Sequence, residues 1–242
     1  MVDHHRLSLS LRTLLAAKHS EELCPALEEL CVRYGLSHMT FLVVCSGGRS
    51  GVHPYFTTYP DAWTEIYVEK RYFDIDPVIN VARSGFMPVD WSSLDQRSAQ
   101  TSRLFKEAHS FEIGPSGLTI PIRGPKGERC LFSVASNLPK REWSRLRASS
   151  IHELQILSQY LHETVFSATG LREVGRYRDL SRREVECLQL LARGRISKQI
   201  AADLGISENA VKLYLRSARK KLGAATSHHA VAKAIFLELI KI

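Results

Sequence analysis

No apolar run in the sequence approaches the roughly 18 residues that a membrane-spanning helix requires. The stretch from Met1 to Leu11 is polar and holds two histidines in place of a signal-peptide apolar core, so a cytoplasmic protein without a membrane partner is expected. Cysteine is sparse: Cys24, Cys31, Cys45, Cys130 and Cys187 form no CxxC pair, which argues against both a zinc site and a disulfide framework. Reduced, mostly buried thiols are expected instead. No Cys or Asp cluster accompanies His4-His5 or His228-His229, and adjacent side chains on a helix point apart, so these pairs read as surface groups and no metal or cofactor is expected. Enzymatic machinery is missing too, because Asp74 and Asp76 are too close in sequence to straddle a substrate and no nucleophile stands with a base. The N-terminal half also lacks the alternating strands and helices with strand-end aspartates that a phospho-receiver needs.

What is present is an ordinary globular mixture, 44% hydrophobic and 24% charged over 242 residues, enough for one large domain or two ordinary ones. The net charge of +8 is informative once divided along the chain. Residues 1–170 carry 18 Lys and Arg against 18 Asp and Glu, whereas 171–242 carry 15 against 7, so the whole excess sits in the last segment. A small basic module attached to a neutral one fits a polyanion binder beside something that does not bind polyanions.

Met39 to Ser46 is apolar and partly β-branched, and the glycine-rich Gly47 to Gly51 predicts a loop after that strand. The runs 117–123 and 129–135 flank a Gly-Pro-Lys-Gly-Glu turn and predict a hairpin, with Pro121 weakening the middle of its first strand. Helical patterns cover about 7–34, 60–73, 98–111 and 140–168, the last with Leu146, Ile151, Leu154, Leu157 and Leu161 at helical spacing. The fold class expected is α+β: an N-terminal α/β/α sandwich over 1–169, a linker at 170–179, and a C-terminal all-α helix-turn-helix bundle over 180–242.

In that last segment Ser181 and Glu184 have capping-box spacing, and the helix they open is expected to stop at Gly194. A second helix would start with Ser197 as its N-cap and end at Gly205. Ser207 would cap a third, Glu208 to Leu222, terminated by Gly223. Short helix, glycine turn and long helix make the helix-turn-helix pattern. The third helix separates into a packing stripe, Val211, Leu215, Ala218 and Leu222, and a neighbouring stripe of Asn209, Lys212, Arg216, Arg219 and Lys220. Cations on a helix usually form a solvated face, but few acids offset these, and the preceding turn is suited to lay the helix in a major groove.

The stretch from Tyr59 to Trp91 is rich in aromatics with polar ends: Tyr59, Trp63, Tyr67, Tyr72 and Trp91, interrupted by Asp74, Asp76 and Pro77. Spacing of four at 59, 63 and 67 is shared by a plain core face and by a binding wall. A small-molecule pocket needs apolar walls with a few fixed donors and acceptors, and indole N–H, phenol O–H and carboxylate supply them. Asp76 has two readings, as the cap of a turn before Pro77 or as an acceptor for a buried ligand N–H.

Two sets of residues resemble one family. Leu180 to Leu188, Gly194, Ser197 to Ala201, Leu204 to Lys212 and Lys221 to Gly223 resemble the LuxR/GerE-type DNA-binding domain over about 60 residues. Tyr59, Trp63, Tyr67, Asp76-Pro77-Val78, Trp91 and 116–122 resemble the acyl-homoserine-lactone-binding domain of LuxR regulators. The resemblance implies a quorum-sensing regulator that binds an acyl- or aryl-homoserine lactone and, as a homodimer, an inverted repeat of double-stranded DNA, in company with RNA polymerase. It implies a lactone ring against Trp91 and Tyr67, its carbonyl receiving the Trp63 N–H, Asp76 accepting the ligand amide N–H, and Tyr59 donating to the acyl carbonyl. Ser133 stands where the family often has a hydroxyl. Lys212 and Arg216 would face bases, and Lys198, Ser207, Asn209, Arg219 and Lys220 phosphates. Ala210 replaces the family's usual Thr, which puts a contact there in doubt, and the helix after Gly223 matches either a dimerising helix or a core one. A regulator of this type that answers to another small molecule, or to none, is the alternative the residues leave open, as are the acyl group and the sign of the response.

Overall fold

A computed structural model of the chain describes residues 4–45, 53–125, 127–171 and 180–241. The expected loop at Gly47 to Gly51 and all but the first two residues of the expected linker lie outside them. The chain divides into two compact units, one of residues 1–124 and 128–171 and one of residues 125–127 and 172–242, of which 125, 127 and 180–241 are described. Among the described residues no helix is long and apolar enough to cross a membrane.

The N-terminal unit is built on five strands, β1 (His38–Cys45), β2 (Tyr55–Thr57), β3 (Val89–Asp90), β4 (Ser116–Arg123) and β5 (Arg129–Ser136). They form one antiparallel sheet in the order β2-β1-β5-β4-β3. Side chains alternate faces along a strand, so the sequence of each strand is divided between two environments. Met39, Phe41 and Val43, Leu118, Ile120 and Ile122, and Cys130, Phe132 and Val134 enter a hydrophobic core with helices α1 (His4–Ala16), α2 (Leu23–Tyr34) and α6 (Lys140–Ala168). Burying each large side chain there contributes about 1.5–3 kcal/mol. Thr40, Leu42, Thr119, Leu131 and Ser133 occupy the alternate positions, and Leu42 and Leu131 pack with the opposite cluster. That layer contains α3 (Asp61–Glu69), α4 (Pro77–Ser84) and α5 (Ala99–Ser110). The architecture is the α/β/α sandwich expected. Pro121 is tolerated because β3 pairs only with Leu118 and Thr119, leaving no ladder bond to lose on that side.

Local details differ from the sequence expectations. The single helix expected over 7–34 is two, because Glu22 turns its carboxylate back onto the Lys18 and His19 N–H groups (2.6 and 3.0 Å) and closes a 3-10 turn at Ser20–Glu22. The helix expected over 60–73 stops at Glu69, beyond which Arg71 has a φ of 53°. Helix α4 was not expected at all. Its N-cap is Asp76, whose carboxylate accepts the Val78 N–H, with Pro77 at the first helical position, where its missing N–H costs nothing.

The C-terminal unit packs α7 (Arg182–Ala192), α8 (Ser197–Leu204), α9 (Glu208–Lys221) and α10 (Ser227–Phe236) around Leu188, Ile200, Val211, Leu215, Ala218, Ala230 and Ala234. Ser181 and Glu184 close the capping box expected of them, and Glu184 also accepts the Lys221 ammonium at 2.7 Å, joining the start of α7 to the end of α9. Gly205, at a φ of 64°, ends α8 and lets Ile206 N–H donate back to the Ala201 carbonyl, the geometry that β-carbons disfavour. Ser197 is the first helical residue rather than the N-cap: Ile196 holds that position, and the Gln199 side chain accepts its N–H at 3.1 Å.

Candidate functional site

Between the second face of the sheet and helices α3, α4 and α5 lies a cavity of about 960 Å³. All six residues proposed from the sequence as ligand contacts, Tyr59, Trp63, Tyr67, Asp76, Trp91 and Ser133, line it. They arrive from five places. Tyr59 comes from the extended segment after β2, Trp63 and Tyr67 from α3, Asp76 from the cap of α4, Trp91 from the turn after β3, and Ser133 from β5. Tyr59 precedes the helix, so its spacing from Trp63 and Tyr67 was not a helical stripe.

The polar atoms are arranged unequally. Asp76 Oδ1 accepts the Val78 N–H and Oδ2 accepts the Tyr67 hydroxyl, both at 2.8 Å. The carboxylate lines the cavity, and burial pushes its pKa up to about 6 although those two bonds pull it down. Burial likewise raises the Tyr67 and Tyr59 phenols, so both stay protonated donors. Asp74 differs: it is exposed and paired with Arg71 at 2.8 Å. Trp63 is 3% exposed and stacks on Tyr72 with centroids 6.0 Å apart. Among the described residues its indole N–H has no hydrogen-bond partner. Tyr72 faces away, its hydroxyl donating to Glu107 at 2.8 Å.

Trp91 is held differently. Its N–H donates to Thr119 Oγ1 at 2.8 Å, and Thr119 Oγ1 lies 2.9 Å from Ser133 Oγ, so this indole presents a ring rather than a donor. The ring lies against Gly117, where a Cβ would come within 2.4 Å of it. Gly117→Ala is therefore expected to displace Trp91 and to cost about 1–3 kcal/mol of stability, read as a lowered midpoint in urea. An unchanged midpoint would show that the ring moves freely.

On the C-terminal unit, Lys198, Ser207, Asn209, Lys212, Arg216 and Lys220 are exposed, while Val211, Leu215, Ala218 and Leu222 are buried, so α9 has the two faces its sequence predicted. Ser207 Oγ accepts the Ala210 N–H at 3.2 Å and caps α9. Arg219 departs from the expected exposed stripe: it is half-buried and donates to the Ala225 carbonyl at 2.5 Å, bracing the turn after α9. Ala230, Ala234 and Leu237 of the last helical segment belong to the core.

Sequence reasoning missed Thr40, Thr57 and Thr119. Register aligns Thr57 with Thr40, Thr40 with Ser133, and Ser133 with Thr119, a row of hydroxyls across four strands. The signal available was a lone hydroxyl at the alternate position of an otherwise apolar strand.

A sandwich with an internal, polar-studded cavity, in one chain with a helix-turn-helix unit of basic outer face, defines a small-molecule-responsive DNA-binding regulator. Residues 19–165 match the autoinducer binding domain, and residues 178–234 match the family described as bacterial regulatory proteins, luxR family. The chain belongs to the LuxR family of transcription regulators, a family of regulators and not of enzymes. It is similar to the transcriptional activator protein RaiR of Rhizobium etli, 46% identical over 170 residues, 70% of each chain. It is also similar to the HTH-type quorum-sensing regulator RhlR of Pseudomonas aeruginosa, 36% identical over 191 residues, 76% of this chain and 74% of that one. The crystal structure of Escherichia coli SdiA shares the fold, with a TM-score of 0.72 over 98% of both chains at 23% identity.

Proposed function

We propose that this regulator binds an acyl- or aryl-homoserine lactone in a sensor domain of residues 1–169 and, through the domain of residues 180–242, an inverted-repeat promoter site as a homodimer, with 170–179 as linker. It would act in the cytoplasm and work on RNA polymerase. The observation that carries the reading is the unpartnered Trp63 N–H on the same cavity as the acceptor-rich Asp76 carboxylate. A lactone amide matches this pair: its N–H goes to Asp76, the ring carbonyl accepts from Trp63, and the ring stacks on Trp91 and Tyr67. The acyl carbonyl accepts from Tyr59 and Ser133. Each pairing avoids the roughly 1–3 kcal/mol that a buried unmatched polar group costs. Mass spectrometry of the small molecules retained by the chain, purified from cells supplied with homoserine lactones, tests the sensor half. Retention of a different small molecule, or of none, would replace the lactone reading.

For DNA, the family resemblance gives Lys212 and Arg216 base edges to face, and Lys198, Ser207, Asn209 and Lys220 phosphates, and the exposure of all six on and beside α9 supports contact with a partner. Arg216→Ala is expected to lose about 1–3 kcal/mol of specific binding and to relax base preference. Lys220→Ala should weaken all sequences alike and flatten the salt dependence. Footprinting should show two symmetric half-sites. A single asymmetric footprint, or equal salt slopes for parent and Lys220→Ala, would count against the assignment.

A further inference from the structure

Asp90 and Trp91 are neighbours in the chain, yet their side chains serve opposite layers of the sandwich. Trp91 packs in the cavity layer with its ring against Gly117, while the Asp90 carboxylate reaches α6 in the other layer. Its Oδ1 accepts the Ser92 N–H at 2.9 Å and the Ser92 hydroxyl, and its Oδ2 accepts the Trp143 indole N–H at 3.1 Å and the Arg147 guanidinium. An ionised carboxylate has roughly four acceptor sites, so this one is filled, half by the turn that carries Trp91 and half by α6. Burial opposes the charge, but the bonds from Ser92, Trp143 and Arg147 outweigh it and hold the Asp90 carboxyl below its usual pKa. With no acceptor site left over, the group works by position. Strand β3 needs such an anchor: it has two residues, lies at the edge of the sheet and pairs with β4 through Val89 and Asp90. The turn beyond it is closed locally, by the Ser93 hydroxyl on the Asp90 carbonyl at 2.7 Å and the Leu94 N–H on the Trp91 carbonyl at 3.1 Å. On the α6 side Trp143 is buried in the core, whereas the Arg147 side chain is 37% exposed and can be replaced without opening that core.

Resting on the reading above that a lactone ring stacks on Trp91, we propose that Asp90 is a positioning residue that fastens the Trp91 turn to α6, so that ligand binding at Trp91 and the hold of the sheet edge on α6 strengthen one another. The reciprocity is thermodynamic. If the anchor on α6 raises affinity for the ligand, the ligand must tighten the anchor by the same factor. Asparagine cannot stand in for Asp90, because its amino group would face either the donors of Ser92 or those of Trp143 and Arg147.

The experiment titrates octanoyl-homoserine lactone calorimetrically into the full chain and into its Asp90→Asn, Arg147→Met, Trp91→Leu and Arg147→Met/Trp91→Leu variants. Asp90→Asn is expected to weaken binding about tenfold and Arg147→Met about fivefold, although Arg147 stands in the layer across the sheet from the cavity. In the Trp91→Leu chain the same Arg147→Met change should cost about twofold or less, because no ring is left to position. A merely structural role would lower both affinities by the same factor. Hydrogen exchange gives a reading that needs no variant: lactone should slow the amides of 143–150 in the parent chain more than those of 158–165 in the same helix. Parent-like affinity in both Asp90→Asn and Arg147→Met, equal losses with and without the Trp91 ring, or slowing no greater at 143–150 than at 158–165 would each overturn the proposal while leaving the lactone reading in place. A parent chain that binds no lactone would overturn both readings together.

Discussion

Replacing Asp76 with Asn is expected to weaken lactone binding about thirtyfold or more, the equivalent of about 2 kcal/mol, and to remove its pH dependence. Each carboxylate oxygen already accepts one bond, from Val78 N–H and from the Tyr67 hydroxyl, and retains room for one more. Asn keeps the shape but turns half of that acceptor into an amino group, which would face a donor on Tyr67 or on the ligand. Burial, opposed by those two bonds, raises the Asp76 pKa to about 6 in the folded chain, above the usual carboxylate value of about 3.8. The sign follows from that direction. Between about pH 4 and 6 the folded state holds a proton that the unfolded state has lost, so the empty sensor loses stability as pH rises through this window, by about 3 kcal/mol at most. A ligand N–H favours the ionised form, so lactone affinity should rise from pH 5 to about 6 and level off above it. Calorimetric titrations at pH 5, 6 and 7 separate the effects. An Asp76→Asn variant that binds as tightly as the parent and follows the same pH profile would remove Asp76 from the amide contact.

The hairpin of β4 and β5 and the two-faced α9 were legible because each is specified by residues close in sequence. Turn chemistry at Gly124 to Glu128, the Ser207 cap and the three- and four-residue spacing of Val211, Leu215 and Ala218 are local signals. The short elements were not legible. Strands β2 and β3, of three and two residues, owe their existence to neighbours: β2 pairs with β1, and β3 with β4. Helix α4 was hidden because Asp76-Pro77 reads equally as a turn, and the structure makes Asp76 both the cap of a helix and a wall of the cavity. Tyr59 reached the right list through the wrong spacing, since it stands before α3. The hydroxyl row is a matter of register between strands 17 and 93 residues apart, as with Thr40 against Thr57 and against Ser133, and no window of sequence contains it. Arg219 illustrates the converse, a cation on the expected face that tertiary structure spends on the Ala225 carbonyl.

A cognate lactone is expected to raise the melting temperature of the sensor by about 5–10 °C at a hundredfold excess over Kd, and to increase soluble yield. Without ligand, the Trp63 N–H and the spare acceptor sites of Asp76, on a cavity of about 960 Å³, would have only water to pair with. Side chains of α3, of α5 and of the α4 cap line this space opposite Leu42, Leu131 and Ser133 of the sheet, so a ligand there adds packing between the two layers. A molecule bound only by the folded state contributes RT ln(1 + [L]/Kd), about 2.7 kcal/mol at that excess, a large share of the 5–15 kcal/mol typical of a whole domain. If the sensor domains hold two helix-turn-helix domains as a pair, linkage carries the same free energy to the operator, where it appears as about a hundredfold in apparent affinity. Melting, sedimentation and operator titration with and without lactone should therefore change together. Equal melting, equal mass and equal operator affinity in both conditions would mean that the chain is a constitutive DNA-binding regulator. A rise in melting temperature with no change at the operator would instead break the link between the units while leaving the sensor reading intact.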